Sequence, residues 1–179
     1  MRFLFFLLGV PAMIMTFFEA KDVLPFVSTY SLMVDGSIVE LSEQEQQSLE
    51  ESVCQMFENS FTMPAFGVVF DKMFQEDVKT GVFVSLKFDQ PMEVNNLPFD
   101  ELVFKVDPTF QGFNLMRGNH GVFQGRCIYI DLHGSSMQDL FDCINNFESV
   151  KNIQNVEDQN EQENTEMSEN LEISEDENL

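Results

Sequence analysis

Tryptophan is absent from this chain of 179 residues, and basic residues are scarce, with nine Lys and Arg against 31 Asp and Glu. Proteins that bind DNA or RNA directly need clustered Lys and Arg to displace counterions from the phosphate backbone. Here the bases are scattered singly along the chain, and the formal net charge is −22. The sequence therefore argues against direct nucleic-acid binding.

Cysteines are few and widely spaced: Cys54, Cys127 and Cys143. An odd number at such spacings fits neither a disulfide framework nor a CxxC metal site, so we expect buried thiols. Neither GxGxxG nor GxxxxGK[ST] is present, so no cofactor is expected. The chain also lacks an Asn-x-Ser/Thr sequon, which favours the nucleus or cytoplasm over secretion.

The two ends of the chain differ in composition from the middle. Within residues 1–20, Arg2 is followed by sixteen uncharged, mostly apolar residues. This segment fits a signal peptide or membrane anchor, but it also fits a core strand at Phe3–Leu8, and the membrane question stays open. Residues 151–179 hold ten acids and one Lys and are predicted to be a disordered acidic tail. Within it, Ser168 and Ser174 precede acidic residues and are candidate phosphorylation sites.

The middle, residues 21–150, is predicted to be one α+β domain. Ser42 and Glu45 form a capping-box pattern, and apolar residues then recur at helical spacing, which predicts a helix over about 43–58. Asp35-Gly36 predicts a hairpin turn. Alternating or β-rich runs predict strands at 82–88, 102–106 and 126–132, the last two as neighbours, and a closing helix follows Ser136. Segment 64–74 fits a strand or a helix. The fold class is an antiparallel β-sheet with one or two packed helices.

Two polar groupings contain residue types found in catalytic or metal sites. The run 131–136 contains Asp131, His133 and two serines, but triad members usually come from separate elements, so a plain strand-to-helix turn is favoured. His120, His133 and Cys127 make an incomplete zinc site. We therefore predict no enzyme and no metal. Four phenylalanines fit either a lipid cavity or the core, and the core is favoured: Phe104, Phe110, Phe113 and Phe123.

One stretch resembles a known family. Residues Phe104–Met116, FKVDPTFQGFNLM, resemble the aromatic-x-Val-x-Pro-x-Phe-x-Gly-apolar signature near the start of the a1-cistron splicing factor family. The resemblance extends over about residues 99–143, and Leu7–Pro11 is similar to the family's opening strand. It implies a β-rich domain that binds the large scaffold protein of the spliceosome during small nuclear ribonucleoprotein assembly, without catalysis. Pro108, Phe110 and Gly112 would shape the binding loop.

The expected function is therefore that of a non-catalytic protein-binding factor whose partner presents a basic surface. Replacing Gly112 with Val should destabilise the domain if the φ angle of Gly112 is positive. A rival interpretation is a small secreted or membrane-tethered acidic protein that binds a surface or host protein. A third is an acidic mimic that blocks basic nucleic-acid-binding proteins. Whether residues 1–20 are cleaved distinguishes the splicing-factor interpretation from the secreted or membrane-tethered one.

Overall fold

The computed structural model describes residues 14–15, 19–58, 60–62, 76–94, 97–123 and 127–153. In this part of the chain the strands are β1 (Ile14–Met15), β2 (Val27–Val34), β3 (Ser37–Val39), β4 (Phe61–Thr62), β5 (Val82–Val94), β6 (Leu97–Lys105), β7 (Gly112–Asn119), β8 (Val122–Phe123) and β9 (Ile128–Asp131). A 3-10 helix spans Ala20–Phe26, helix α1 spans Glu43–Glu58 and helix α2 spans Gln138–Asn145. Residues 148–153 are also helical.

Seven strands follow one path across the sheet, in the order β3-β2-β5-β6-β7-β9-β4, and each neighbouring pair is antiparallel. Strand β8 forms a short hairpin with β7, and β1 pairs in parallel with the end of β5. The predicted fold class, an antiparallel sheet with packed helices, is confirmed.

Helix α1 has the predicted bounds. Its N-terminus is closed by the capping box, in which the Ser42 backbone N–H donates to Glu45 Oε2 at 2.9 Å and the Glu45 N–H donates to Ser42 Oγ at 3.4 Å. Leu49, Val53 and Phe57 form its fully buried stripe. Because these residues recur every four positions, one face of α1 packs on the sheet and the other faces solvent.

The main core lies between the helices and one face of the sheet. Phe57 of α1 contacts Phe104 and Phe113, with ring centroids 5.7 and 5.8 Å apart, respectively. The predicted closing helix is present as α2 and the helical residues 148–153, and its buried residues are Met137, Leu140, Ile144, Phe147 and Val150. A second, smaller cluster lies on the opposite face of the sheet and consists of Phe83, Val103, Met116 and Cys127.

The predicted hairpin at Asp35-Gly36 is confirmed and joins β2 to β3. Both residues have positive φ, 48° and 81°, as a type I′ turn requires. The Asp35 carboxylate also accepts the Gly81 N–H at 2.6 Å, which ties the turn to the start of β5.

One prediction about the sheet is wrong. The strands predicted at 102–106 and 126–132 are not neighbours, because β7 lies between β6 and β9. Strand β6 also begins earlier than predicted, at Leu97, and β5 continues to Val94 through an irregular stretch that contains Pro91. Pro91 lacks a backbone N–H for the ladder, which fits its place in that irregularity.

Several predictions fall outside the described residues: the strand at Phe3–Leu8, segment 64–74, the tail from 154 onward, and Ser168 and Ser174 within it. Within residues 1–20, Ile14 and Met15 pair with Glu93 and Val94 of β5. The helical residues 148–153 extend past position 150, where the composition changes. In the part of the chain that the structure describes, no helix is long and apolar enough to cross a membrane.

Candidate functional site

Strands β6 and β7 separate at one end of the sheet. Their pairing runs from Glu101↔Gly118 to Val103↔Met116, and the first residues of β7 pair instead with β9, from Gly112↔Asp131 to Leu115↔Ile128. The connection between them, residues 106–111, is here named the β6–β7 loop. Because β7 turns away from β6 toward β9, an opening is left beneath this loop.

The β6–β7 loop is held at both ends and in its middle. At its start the Val106 N–H donates to the Val82 carbonyl at 2.8 Å, and at its end the Gln111 carbonyl accepts the Leu132 N–H at 3.0 Å. In the middle, the Asp107 carboxylate accepts the Thr109 N–H at 3.0 Å and the Thr109 hydroxyl. This Asx turn and the fixed φ of Pro108 leave the loop little freedom.

The opening beneath the loop is a cavity of about 320 Å³, here named the β6–β7 cavity. Its apolar wall is made of Phe83, Phe110, Phe113 and Met116, and its polar residues include Asp77, Lys105, Asp107, Asn114 and Tyr129. An apolar wall with a few polar groups at its rim is typical of a binding site for a small ligand or a partner side chain.

The rim of the cavity carries more negative than positive charge. The hydrogen bond from the Thr109 hydroxyl holds the pKa of the Asp107 carboxyl below its usual value. Burial opposes this effect, while the Thr109 N–H and the charge of Lys105 add smaller lowering contributions. Asp107 is therefore ionised at neutral pH. The Lys105 ammonium lies 6.0 Å from the centre of the Phe83 ring, within reach of a cation–π interaction. Asp77 supplies a second carboxylate on the exposed side.

The three residues singled out from the sequence all lie at this site. Pro108 is half-buried in the loop, and Phe110 is 62% exposed and lines the cavity. Of the four phenylalanines weighed between cavity and core, Phe104 and Phe113 are core residues, Phe110 and Phe113 line the cavity, and Phe123 packs half-buried against the second cluster.

Gly112 is required by space rather than by backbone angle. Its φ is not among the positive values, so the condition placed on its role is not met. However, a Cβ atom at this position would lie 2.6 Å from the Ile130 carbonyl oxygen and would collide with the Tyr129 hydroxyl. Only glycine lets the Tyr129 side chain lie this close to β7.

A second exposed aromatic residue lies at the same end of the sheet. Phe61 of β4 pairs with Asp131, which in turn pairs with Gly112, so the three residues form one row across the strands. Phe61 is 53% exposed, and its ring lies 4.9 Å from the His133 ring. Apolar surface is thus gathered on both sides of β9 at the end that holds the β6–β7 loop.

The polar run 131–136 forms the turn from β9 to α2. The Asp131 carboxylate accepts the backbone N–H of His133 at 2.7 Å, while the His133 ring lies against Phe61. His133 and Gly134 have positive φ, and Ser136 Oγ accepts the Gln138 N–H at 3.2 Å. The predicted strand-to-helix turn is present, but the residue that precedes α2 is Met137 and the helix has no side-chain cap, so the predicted serine cap is wrong. A small cavity of about 110 Å³ beside α1 includes Ser135 and Ser136.

The structure does not bring together the three residues weighed as a zinc site. His120 follows the last residue of β7 in a turn with positive φ, and its N–H donates to the Asp100 carboxylate. His133 lies beyond the opposite end of the same strand, so the full length of β7 separates the two histidines. Among the described residues, no group of three His, Cys, Asp or Glu side chains is placed to hold a metal ion.

The cysteines are free thiols, but only one of them is fully buried. Cys127 lies in the second cluster, and burial raises the pKa of its thiol to about 11 despite the nearby Arg117 charge. Cys54 and Cys143 are half-buried on α1 and α2. A protonated thiol is a poor nucleophile, so Cys127 acts as an apolar packing residue.

The outer face of the helices is acidic. Its exposed acids are Glu43, Glu51, Glu58, Asp139, Asp142 and Glu148. The only base in α1, α2 and residues 148–153 is Lys151, which pairs with Glu148 at 3.0 Å. This face therefore presents a negative potential to solvent.

Sequence reasoning missed most of the cavity wall. Asp107-Pro108-Thr109 is a readable turn signal, but Phe83 and Tyr129 reach the cavity only through strand pairing, and Asp77 reaches it from the helical turn before β5. In comparisons with known proteins, no family model matches the chain, and neither a curated protein nor a solved structure matches it.

Proposed function

We propose that this protein is a non-catalytic protein-binding factor that engages its partner through the β6–β7 loop. The observation that carries the proposal is the position of Phe110, a large apolar side chain exposed on a loop that hydrogen bonds hold in place, beside a cavity with an apolar wall. Rigid aromatic anchors next to pockets dominate the binding energy of many protein interfaces, because little conformational entropy is lost on binding.

The partner is proposed to present a basic surface. The acidic helical face and the net charge of −22 favour encounter with cationic partners and disfavour anionic ones. The resemblance of residues 104–116 to the splicing factor family makes the large spliceosomal scaffold protein the first partner to test. In that role the protein would cover basic RNA-binding surfaces during assembly, in the nucleus or cytoplasm.

The test is affinity capture from nuclear extract with three purified forms: the unchanged chain, F110A and I38A. Ile38 is 69% exposed on β3, at the opposite edge of the sheet, so I38A removes a comparable apolar side chain elsewhere. We expect a spliceosomal protein to be captured by the unchanged chain and by I38A. F110A should bind the purified partner at least about tenfold more weakly.

Capture of no spliceosomal protein above a charge-matched acidic control would exclude the splicing role. Equal binding by F110A and I38A would exclude the loop as the binding surface. Melting temperatures of the variants should match that of the unchanged chain, because both side chains are mostly exposed.

A secreted or membrane-tethered protein is the alternative, favoured by the apolar composition of residues 3–18. The intact mass of the protein from its own cells separates the two proposals. A mass near the full 20.6 kDa supports the assembly role, whereas loss of about twenty residues supports secretion and removes the pairing of β1 with β5.

A further inference from the structure

The β6–β7 cavity combines an apolar wall with a charged rim. Phe83, Phe113 and Met116 line the wall, and Phe110 stands beside its mouth as the most exposed ring. The volume of about 320 Å³ is at the lower end of ligand pockets, which suits a single large side chain better than a cofactor. Size and lining thus select an aromatic or large aliphatic group.

The charges at the rim determine which partner residues are favoured next to the side chain in the cavity. Asp77 and Asp107 offer two carboxylates against the single ammonium of Lys105. Lys105 already interacts with the Phe83 ring and with the charge of Asp107, so part of its charge is compensated within the protein. Asp77 is the more exposed carboxylate and lies on the solvent side. The net negative charge of the whole chain adds a negative electrostatic potential to that of the two carboxylates.

We propose that the β6–β7 cavity binds one large apolar side chain of a partner segment that carries Lys or Arg beside that side chain. This inference rests on the proposed protein-binding function and names the chemistry that the partner supplies. Charge complementarity carries the choice of flanking residues, since cations meet the carboxylates at the rim while anions meet net repulsion. The competing occupant is an anionic amphiphile bound through Lys105, and the experiment below distinguishes it from the cationic peptide segment.

The absence of tryptophan provides a clean readout, because a Trp placed in a peptide is the only indole in the mixture. The probes are the blocked peptides Gly-Lys-Trp-Lys-Gly and Gly-Glu-Trp-Glu-Gly, titrated against the full chain with Trp emission and anisotropy recorded. We expect the lysine peptide to bind about tenfold more tightly at low salt, and the difference to shrink as ionic strength rises. The methyl resonance of Met116 should shift on binding, which locates the indole in the cavity.

A matched pair of variants tests the rim. D77K and E76K make the same charge change one residue apart, but only Asp77 belongs to the cavity wall. D77K should remove most of the preference for the lysine peptide, whereas E76K should keep most of it. Equal effects of the two variants would show general attraction to an acidic protein and would overturn the proposal.

Two further results would overturn it: equal affinity for the two peptides, or tighter binding of a medium-chain fatty acid that displaces the lysine peptide and depends on Lys105. If F110A still abolishes capture of the partner while the two peptides bind equally, the ligand chemistry is wrong and the protein-binding function stands. If no partner is captured but the lysine peptide shifts Met116, the cavity chemistry stands and the proposed function fails.

Discussion

At the scale of single residues, Gly112 is the position where a small change should have the largest effect. Replacing it with Ala places a Cβ atom 2.6 Å from the Ile130 carbonyl oxygen and against the Tyr129 hydroxyl. The carbonyl belongs to a paired strand and moves with difficulty, so we expect a loss of about 2 kcal/mol in the free energy of unfolding. For a chain of this length that lowers the melting temperature by roughly 4–8 °C. Thermal unfolding followed by circular dichroism measures it.

Gly121→Ala is the control for this prediction. A Cβ atom at Gly121 meets nothing within 4 Å, but its φ of +74° strains an alanine by about 1 kcal/mol. The control therefore loses stability through backbone conformation alone, without a collision. If G112A melts within a degree or two of the unchanged chain, the Tyr129 contact does not constrain position 112.

The same residue shows what the sequence reveals about the site and what it hides. That Gly112 matters follows from its place after Asp107-Pro108-Thr109 and Phe110, but a positive φ, the condition under which the sequence predicted destabilisation, is not present. The true reason is the approach of Tyr129, seventeen positions away, and this depends on the pairing of β7 with β9. Local turn chemistry is readable from the sequence, whereas a close approach set by strand register is not.

At the scale of elements, local signals explain which predictions succeeded. Helix α1 was predicted with its observed bounds because its cap and its apolar spacing lie within sixteen consecutive residues. Strand β7 was missed because Leu115, Met116, Arg117 and Gly118 are all buried, so the alternation that marks a half-buried strand is lost. A strand that leaves one neighbour and joins another is covered on both faces along part of its length.

Glu45 joins two helical elements through one carboxylate. Besides closing the capping box of α1, it accepts the Ser149 N–H at 3.1 Å and the Ser149 hydroxyl at 2.7 Å. Hydrogen bonds from Ser42 and Ser149 lower the pKa of Glu45 to about 2. Because the pKa is lower in the folded chain than in the unfolded chain, ionised Glu45 stabilises the fold above about pH 4.5, and this stabilisation is lost as the pH falls toward 2.

We therefore expect E45Q to destabilise the protein by about 1 kcal/mol at pH 7, a value typical of a lost helix cap. The gap in melting temperature between E45Q and the unchanged chain should narrow steadily from pH 5 to pH 3. E43Q, in the same helical turn, removes an equal charge without either serine contact and serves as the control. A gap for E45Q that stays constant with pH, or one matched by E43Q, would show that the two serine contacts contribute little.

At the scale of the whole molecule, the buried core and a large share of the negative charge lie in different parts of the chain. Phe147 and Val150 are buried in the main core, so the chain is needed at least to this point for a complete fold. The residues from 154 onward contribute ten acids and no base. Composition predicted a single domain with an acidic extension, because it separates apolar from polar stretches, whereas the α+β class was predicted from apolar spacing and turn signals. It does not predict the last residue that packs.

Two truncations test this division. A chain ending at Ile153 keeps Phe147 and Val150, and it should melt at or slightly above the temperature of the full chain at low salt, because ten like charges are removed. A chain ending at Asn146 loses both buried side chains, each worth about 1.5–3 kcal/mol, which is a large share of a typical domain's stability. We expect it to be mostly unfolded at 37 °C. Urea unfolding of both chains gives the difference directly.

If the shorter chain unfolds at the same urea concentration as the longer one, the helical residues 148–153 are not part of the cooperative core. If the longer chain is the one that loses stability, residues beyond 153 contribute to the fold as well as to the charge.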